Sequence, residues 1–340
     1  CLSNQEFAEL ITDYPGSGRF IDLMIRYPKF LRKNPEVSLR KLAKMSEESF
    51  RKMFPTKGAK PWRIAIDPGH FGGNYASIEG REIVLNHDDQ EYMAREGEVS
   101  LAIALELEQL LRRGGYQVML TRREIGKGAI KETFNNWVKK HAFKPLHKMS
   151  AVEKTYAFDM YNQDDLRARL KAIHHFNPDL AISVHLNARG LWNKKEFKLE
   201  PAKENYSIIF VPKQNSLYAQ QKHRRLPGTN YELSVEYAKH LADYFRKYLN
   251  VRLQSDPEYE NSYLITEGIY GRELTLTNQS QVPIVFGEPL FLDNPYELAR
   301  ISDKVKTSDT GVNERTFRIA KAYYMALVKF FEAHNKTLAH

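Results

Sequence analysis

The sequence predicts an α/β fold built on a parallel sheet with helices on its faces. Three short apolar runs, Ile64–Ile66, Leu180–Val184 and Val282–Phe286, have the length and continuous hydrophobicity of buried strands. Stretches with apolar residues at helical spacing alternate with them. Each run stops at an ionisable residue: His70, His185 and Glu288. A parallel sheet brings its carboxyl ends to one edge, where open α/β sheets hold their ligands.

The elements follow in order. Residues 1 to about 60 read as a helical extension without strand signal. Within it, Asn34-Pro35 opens a helix with Asn as cap and Pro at the first helical position. Leu39, Ala43, Ser46, Phe50 and Met53 then form its apolar face. Pro55 to Pro61 reads as a linker, and residues 61–340 as the main domain. In the first strand Asp67-Pro68-Gly69 ends the run and leaves His70 at its edge, while Gly72 and Gly73 allow close backbone approach. Asn74 to Arg95 reads as a polar loop. Glu98 to Arg113 is a helix, stopped by Gly114-Gly115, and Tyr116 to Thr121 is a strand. Arg122 to Met160 is long and basic, and reads as helices inserted between core elements over the site. Asp164 to Phe176 is a helix that leads into the strand ending at His185. Residues 190–204 read as a polar loop, Tyr206 to Val211 as a strand, and Gln214 to Thr229 as a basic loop. Helix Tyr231 to Leu249, the strand ending at Glu288, and a helix from about Glu314 to Glu332 complete the chain.

Composition bounds the function. With 340 residues and a formal charge of +9, the chain suits polyanionic surroundings: nucleic acid, anionic lipid or an anionic wall polymer. It carries no nucleic-acid-binding motif, so no nucleic acid is assigned as a partner. No apolar run in the sequence is long enough to span a membrane. Cys1 is the only cysteine, which excludes an intrachain disulfide and a cysteine-based metal site. A chain that starts at cysteine resembles a mature bacterial lipoprotein, lipidated at Cys1 and so anchored to a membrane; the alternative is a start point without biological meaning.

Two neutral imidazoles and one carboxylate make the ligand set of a catalytic zinc site that keeps a position open for water. A further glutamate beside that water acts as general base. The segments IDPGHFGG, REGEVSLAIALELEQLLRRGGYQVMLTR, RLKAIHHFNPDLAISVHLNA and VPIVFGEPLFLDN, in that order, resemble the zinc-dependent N-acetylmuramoyl-L-alanine amidases of the amidase 3 family. The resemblance covers about residues 62 to 335. It implies a mixed, mostly parallel sheet, one Zn2+, and cleavage of the peptidoglycan amide between the muramic acid lactyl group and L-alanine. It also implies action in the bacterial cell envelope, on the periplasmic side, and leaves any protein activator open. Carried over by position, His70, Glu96 and His185 match the metal ligands and Glu288 the catalytic glutamate. Glu98 is the alternative to Glu96 as ligand. Ser183 and Asn187 are read as orienting His185 or closing a turn, and His174 and His175 as surface residues. His87, in the loop before Glu96, is the histidine to check as an unexpected neighbour of the site. Three departures from the family pattern stand out: Phe71 enlarges the usual GHGG turn, Gly97 replaces a common lysine, and EPLF replaces ELGF. Two rival readings accompany this one, a zinc peptidase cutting within the stem peptide and a catalytically silent wall-binding lipoprotein.

Overall fold

The computed structural model describes residues 61–337 apart from 142, 190, 194–197, 258 and 303–310. The expected helical extension, most of the linker and Cys1 lie outside the described residues. Strand β1 (Arg63–Pro68) is the next-to-last strand at one side of the main sheet. Its side chains alternate between two cores: Ile64 and Ile66 enter one cluster, Ala65 the other. It pairs in parallel with β4 (Gln117–Leu120) on one side and β5 (Leu180–Val184) on the other. Next to β5 runs β12 (Ile284–Glu288), again parallel. Beyond it, β8 (Tyr206–Val211) pairs antiparallel with β12, so the sheet is mixed. On the far side of β8, β11 (Ile269–Gly271) is parallel and β10 (Tyr263–Thr266) antiparallel to its neighbour. The short β9 (Arg252–Leu253) also pairs with β8.

Helices cover both faces. On one, α1 (Glu96–Arg113), α4 (Asn230–Leu249) and α7 (Glu314–Thr337) pack together, with α7 against the other two. On the other, α3 (Ala151–Phe176) and α5 (Thr275–Gln279) supply Leu170, Ile173 and Leu276 to the core that holds Ala65, Ala181 and Ile284. The helix α6 (Pro295–Ser302) packs against the hairpin described next. No described helix is long and apolar enough to cross a membrane.

Three stretches differ from the sequence reading. The loop expected from Asn74 to Arg95 contains a hairpin, β2 (Glu82–His87) and β3 (Gln90–Arg95). Ile83 and Leu85 are buried while Val84 is exposed, the alternation of a half-buried strand. Asp88 and Asp89 both take positive φ, as a two-residue hairpin turn demands. Residues 191–193 and 198–200, expected as loop, pair as the short strands β6 and β7. Helix α3 starts at Ala151, not Asp164, because Ser150 and Glu153 form a capping box. The last part of the insertion, from Ala151 to Met160, is therefore continuous with a core helix.

The rest of the insertion has its own core. Phe134, Trp137 and Val138, the first two at either end of a turn of α2 (Phe134–Lys140), join Met149, Ala157, Phe158 and Tyr161 of the following segment. At its centre is Phe71, fully buried, with Tyr161 stacked 5.4 Å away and Phe158 at 5.5 Å. Burying such a side chain contributes about 1.5–3 kcal/mol. The insertion is thus built on the residue that follows His70.

Candidate metal centre

Pro68 ends β1, and the next backbone N–H, that of Gly69, donates to Val184 O at 2.9 Å. A Cβ at Gly69 would collide with the His185 ring, so glycine alone lets the β1 exit pass this closely. His70 follows with φ +55, outside the range most residues adopt. Two buried arginines grip the carbonyls of this exit. Arg122 donates to Pro68 O at 3.0 Å, to Gly69 O at 2.7 Å and to Gly97 O at 2.5 Å. Arg169 donates to Pro68 O at 2.6 Å and to His70 O at 3.2 Å, and pairs with Asp67 and Asp165.

Glu96 is the first residue of α1, where the helix dipole favours a carboxylate. Its Oε1 accepts from Leu186 N–H at 3.1 Å and stands 3.1 Å from His185 Nδ1. Its Oε2 lies 3.3 Å from His70 Nε2 and 3.4 Å from Arg81 Nε. His185 is held from the other side by Phe286, stacked at 3.9 Å and 18°. One donor atom each from His70, Glu96 and His185 lie within 4.8 Å of one another, a group that could hold a metal ion.

The electrostatics of the trio are coupled. Burial pulls the His185 imidazole below its ordinary value, and the bond to Glu96 only partly offsets this. Burial also works against the His70 cation, but Glu96 and Glu79 outweigh it and hold that group up at about 9. Burial would raise Glu96, yet the facing His70 and His185 keep it well below the carboxylate range. In the metal-free protein the carboxylate is therefore balanced by a proton on His70, a position where a cation is at home.

Glu288 ends β12. Because β12 is parallel to β5, Gly287 pairs with Val184, and His185 N–H donates to Gly287 O at 3.0 Å. Side chains alternate along a strand, so Glu288 leaves the sheet on the face of Phe286, whose ring covers His185. Glu288 is 9% exposed and does not belong to the converging trio.

Other sequence expectations fall differently. Glu98 turns away from the trio: its Oε1 accepts from Gly73 N–H at 3.1 Å and from Arg95 at 3.2 Å. If the trio holds a metal ion, Glu96→Ala is expected to weaken its binding strongly and Glu98→Ala to leave it within a few-fold of wild type, measured by chelator competition; the reverse order would refute this geometry. Ser183 does not orient His185 but donates to the buried Asp67 at 2.9 Å. Asn187 closes a turn, accepting from Ala188 N–H at 2.8 Å, and donates to the Tyr259 hydroxyl at 2.6 Å. His87 stands at the hairpin tip against Tyr296, away from Glu96. His174 accepts from Gln281 N–H at 3.1 Å, and His175 is exposed. The departures Phe71 and Gly97 belong together. A Cβ at residue 97 would overlap the backbone of Phe71 and Gly72, so glycine at 97 lets this turn lie against the start of α1. Sequence reasoning overlooked Glu79, whose carboxylate reaches the His70 turn; only its position between two glycine-bearing turns hinted at it.

Two histidines and a glutamate gather at the carboxyl edge of a mostly parallel α/β sheet, a donor set that could hold a metal ion. The chain belongs to the Amidase_3 family, described as N-acetylmuramoyl-L-alanine amidase, whose model matches residues 64–312. A curated relative is the germination-specific N-acetylmuramoyl-L-alanine amidase of Bacillus subtilis (strain 168), 26% identical over 136 residues. That match spans 38% of this chain and 43% of the relative, less than half of its length. Similar solved structures include the CwlD amidase of Clostridioides difficile in complex with the GerS lipoprotein, at 20% identity and TM-score 0.49. The alignment covers 80% of this chain and 99% of that one. The amidase Ami1 of Mycobacterium smegmatis is similar at 17% identity and TM-score 0.49, over 80% of this chain and 97% of that one.

Proposed function

We propose that the protein is a zinc-dependent peptidoglycan amidase that cleaves the bond between N-acetylmuramic acid and L-alanine of the stem peptide. The observation that carries this reading is the convergence of His70, Glu96 and His185 within 4.8 Å at the sheet edge, in a chain of the Amidase_3 family. The donor set fits zinc: two imidazoles and a carboxylate fill three positions and leave one open. When bound, zinc supplies Lewis-acid chemistry, acidifying water and polarising the amide carbonyl.

The chain's own residues do the rest. His70, Glu96 and His185 would hold the ion, and Gly69 and Phe286 fix the plane of the His185 ring. Arg122 and Arg169 keep the β1 exit from shifting, so the His70 side chain cannot drift from Glu96. Glu288 accepts the proton of the attacking water on its carboxylate. It then returns the proton to the departing nitrogen of L-alanine, which leaves as a neutral amine. Peptidoglycan places this work in the envelope of a bacterium.

The test is release of dye from labelled peptidoglycan. Chelator is expected to stop release and added zinc to restore it. Release that persists undiminished after complete removal of metal would sink the proposal.

A further inference from the structure

His70 occupies a left-handed conformation that costs a non-glycine residue about 1–3 kcal/mol, so something must over-determine it. Arg169 on its carbonyl is one restraint. The other is Glu79, whose side chain is only 4% exposed. Glu79 Oε1 accepts from Phe71 N–H at 3.1 Å, and Oε2 from Phe71 N–H at 3.2 Å and Gly72 N–H at 3.3 Å. Oε1 also faces His70 Nδ1 at 3.3 Å. A buried carboxylate is costly unless its oxygens are satisfied, and here the backbone of the metal-site turn and the ring itself satisfy them.

The ring has two nitrogens with opposite tasks. Nδ1 faces Glu79, and Nε2 faces Glu96 at 3.3 Å. Both partners are carboxylates and can only accept, but Nε2 is the nitrogen turned into the trio and has to give up its proton to ligate, so the ligating neutral ring keeps its proton on Nδ1, shared with Glu79. The lone pair then lies on Nε2, toward the trio. Outer carboxylates of this kind fix the tautomer and raise the basicity of the ligand.

We propose that Glu79 is the positioning residue of this centre: it clamps the turn after β1 and sets the His70 tautomer that makes Nε2 the metal donor. This deepens the metal reading above and rests on it. Its sequence neighbourhood, between the enlarged GHFGG turn and the β2–β3 hairpin, makes Glu79 the partner of Phe71: the side chain that enlarges the turn is followed at once by the backbone N–H groups that Glu79 holds.

Glu79→Gln separates the two roles. The amide oxygen can still accept from the backbone N–H groups, whereas the amide N–H donors favour the wrong ring tautomer when turned toward Nδ1. Zinc affinity is measured by chelator competition on the full chain, with melting temperatures of the metal-free proteins and nitrogen NMR of the zinc-loaded histidines. Zinc affinity is expected to fall 10–100-fold in Glu79→Gln, with the metal-free variant still folded at the assay temperature and zinc-loaded wild-type His70 protonated on Nδ1. Wild-type zinc affinity in the variant, or a His70 proton on Nε2 in the loaded wild type, overturns the proposal. Should the variant not fold, the wild-type tautomer decides alone. A wild-type chain that takes up no zinc overturns instead the metal reading underneath, and this proposal with it.

Discussion

Glu288→Gln is expected to lower kcat on peptidoglycan by about 10²- to 10⁴-fold while leaving zinc content and fold intact, because a positioned general base contributes that much. The substitution keeps shape and removes the ability to take a proton. Glu288 ends the strand next to β5, on the face where Phe286 covers His185, and it stands outside the three converging donors. Loss of turnover with zinc retained is the pattern of a base, and loss of both is the pattern of a ligand. The measurement is steady-state turnover alongside elemental analysis of the purified variant. Turnover within a few-fold of wild type would move the proton-accepting role to another residue.

The second large effect is on the metal. His185→Ala should weaken zinc binding by more than the 10–100-fold typical of losing an outer partner, since it deletes a donor outright. The ring lies between Gly69 and Phe286, so its removal also leaves a gap at the β1 exit. His70→Ala deletes the other imidazole, from a different strand exit, and provides the second test. Both variants should purify without zinc and show no wall hydrolysis. Full zinc occupancy in both would contradict the site.

Much of this centre was legible in the sequence, for a physical reason. Strands buried on both faces read as unbroken apolar runs, so the ends of β1, β5 and β12 could be found, and with them His70, His185 and Glu288. Glu96 required the register of the helix that follows it. The placement of Glu98 on Gly73 N–H depends on how the enlarged turn meets α1, which no periodicity reports. The hairpin was missed because an Asp-Asp turn is a weaker signal than Asn-Gly, and the polar residues around it mask the alternation of Ile83 and Leu85. The early start of α3 was written in Ser150 and Glu153 but lay inside a segment read as an insertion. Ser183 was assigned by nearness in sequence to His185. The two-residue period puts both side chains on one face of β5, but Ser183 stands a step back along the strand, opposite Asp67 of β1, and its hydroxyl donates to that carboxylate. Glu79 is barely legible beyond its position between two glycine-bearing turns, since its contacts are made to backbone N–H groups whose direction depends on the positive φ of His70.

Mass spectrometry of the products of peptidoglycan digestion tests the central claim most directly. Purified sacculi are incubated with the protein, with and without chelator, and the soluble fragments are analysed. The account predicts intact stem peptides with new free L-alanine amino termini, glycan strands bearing free lactyl carboxylates, and neither product in chelator. Cuts within the stem peptide, with the lactyl amide intact, would contradict it.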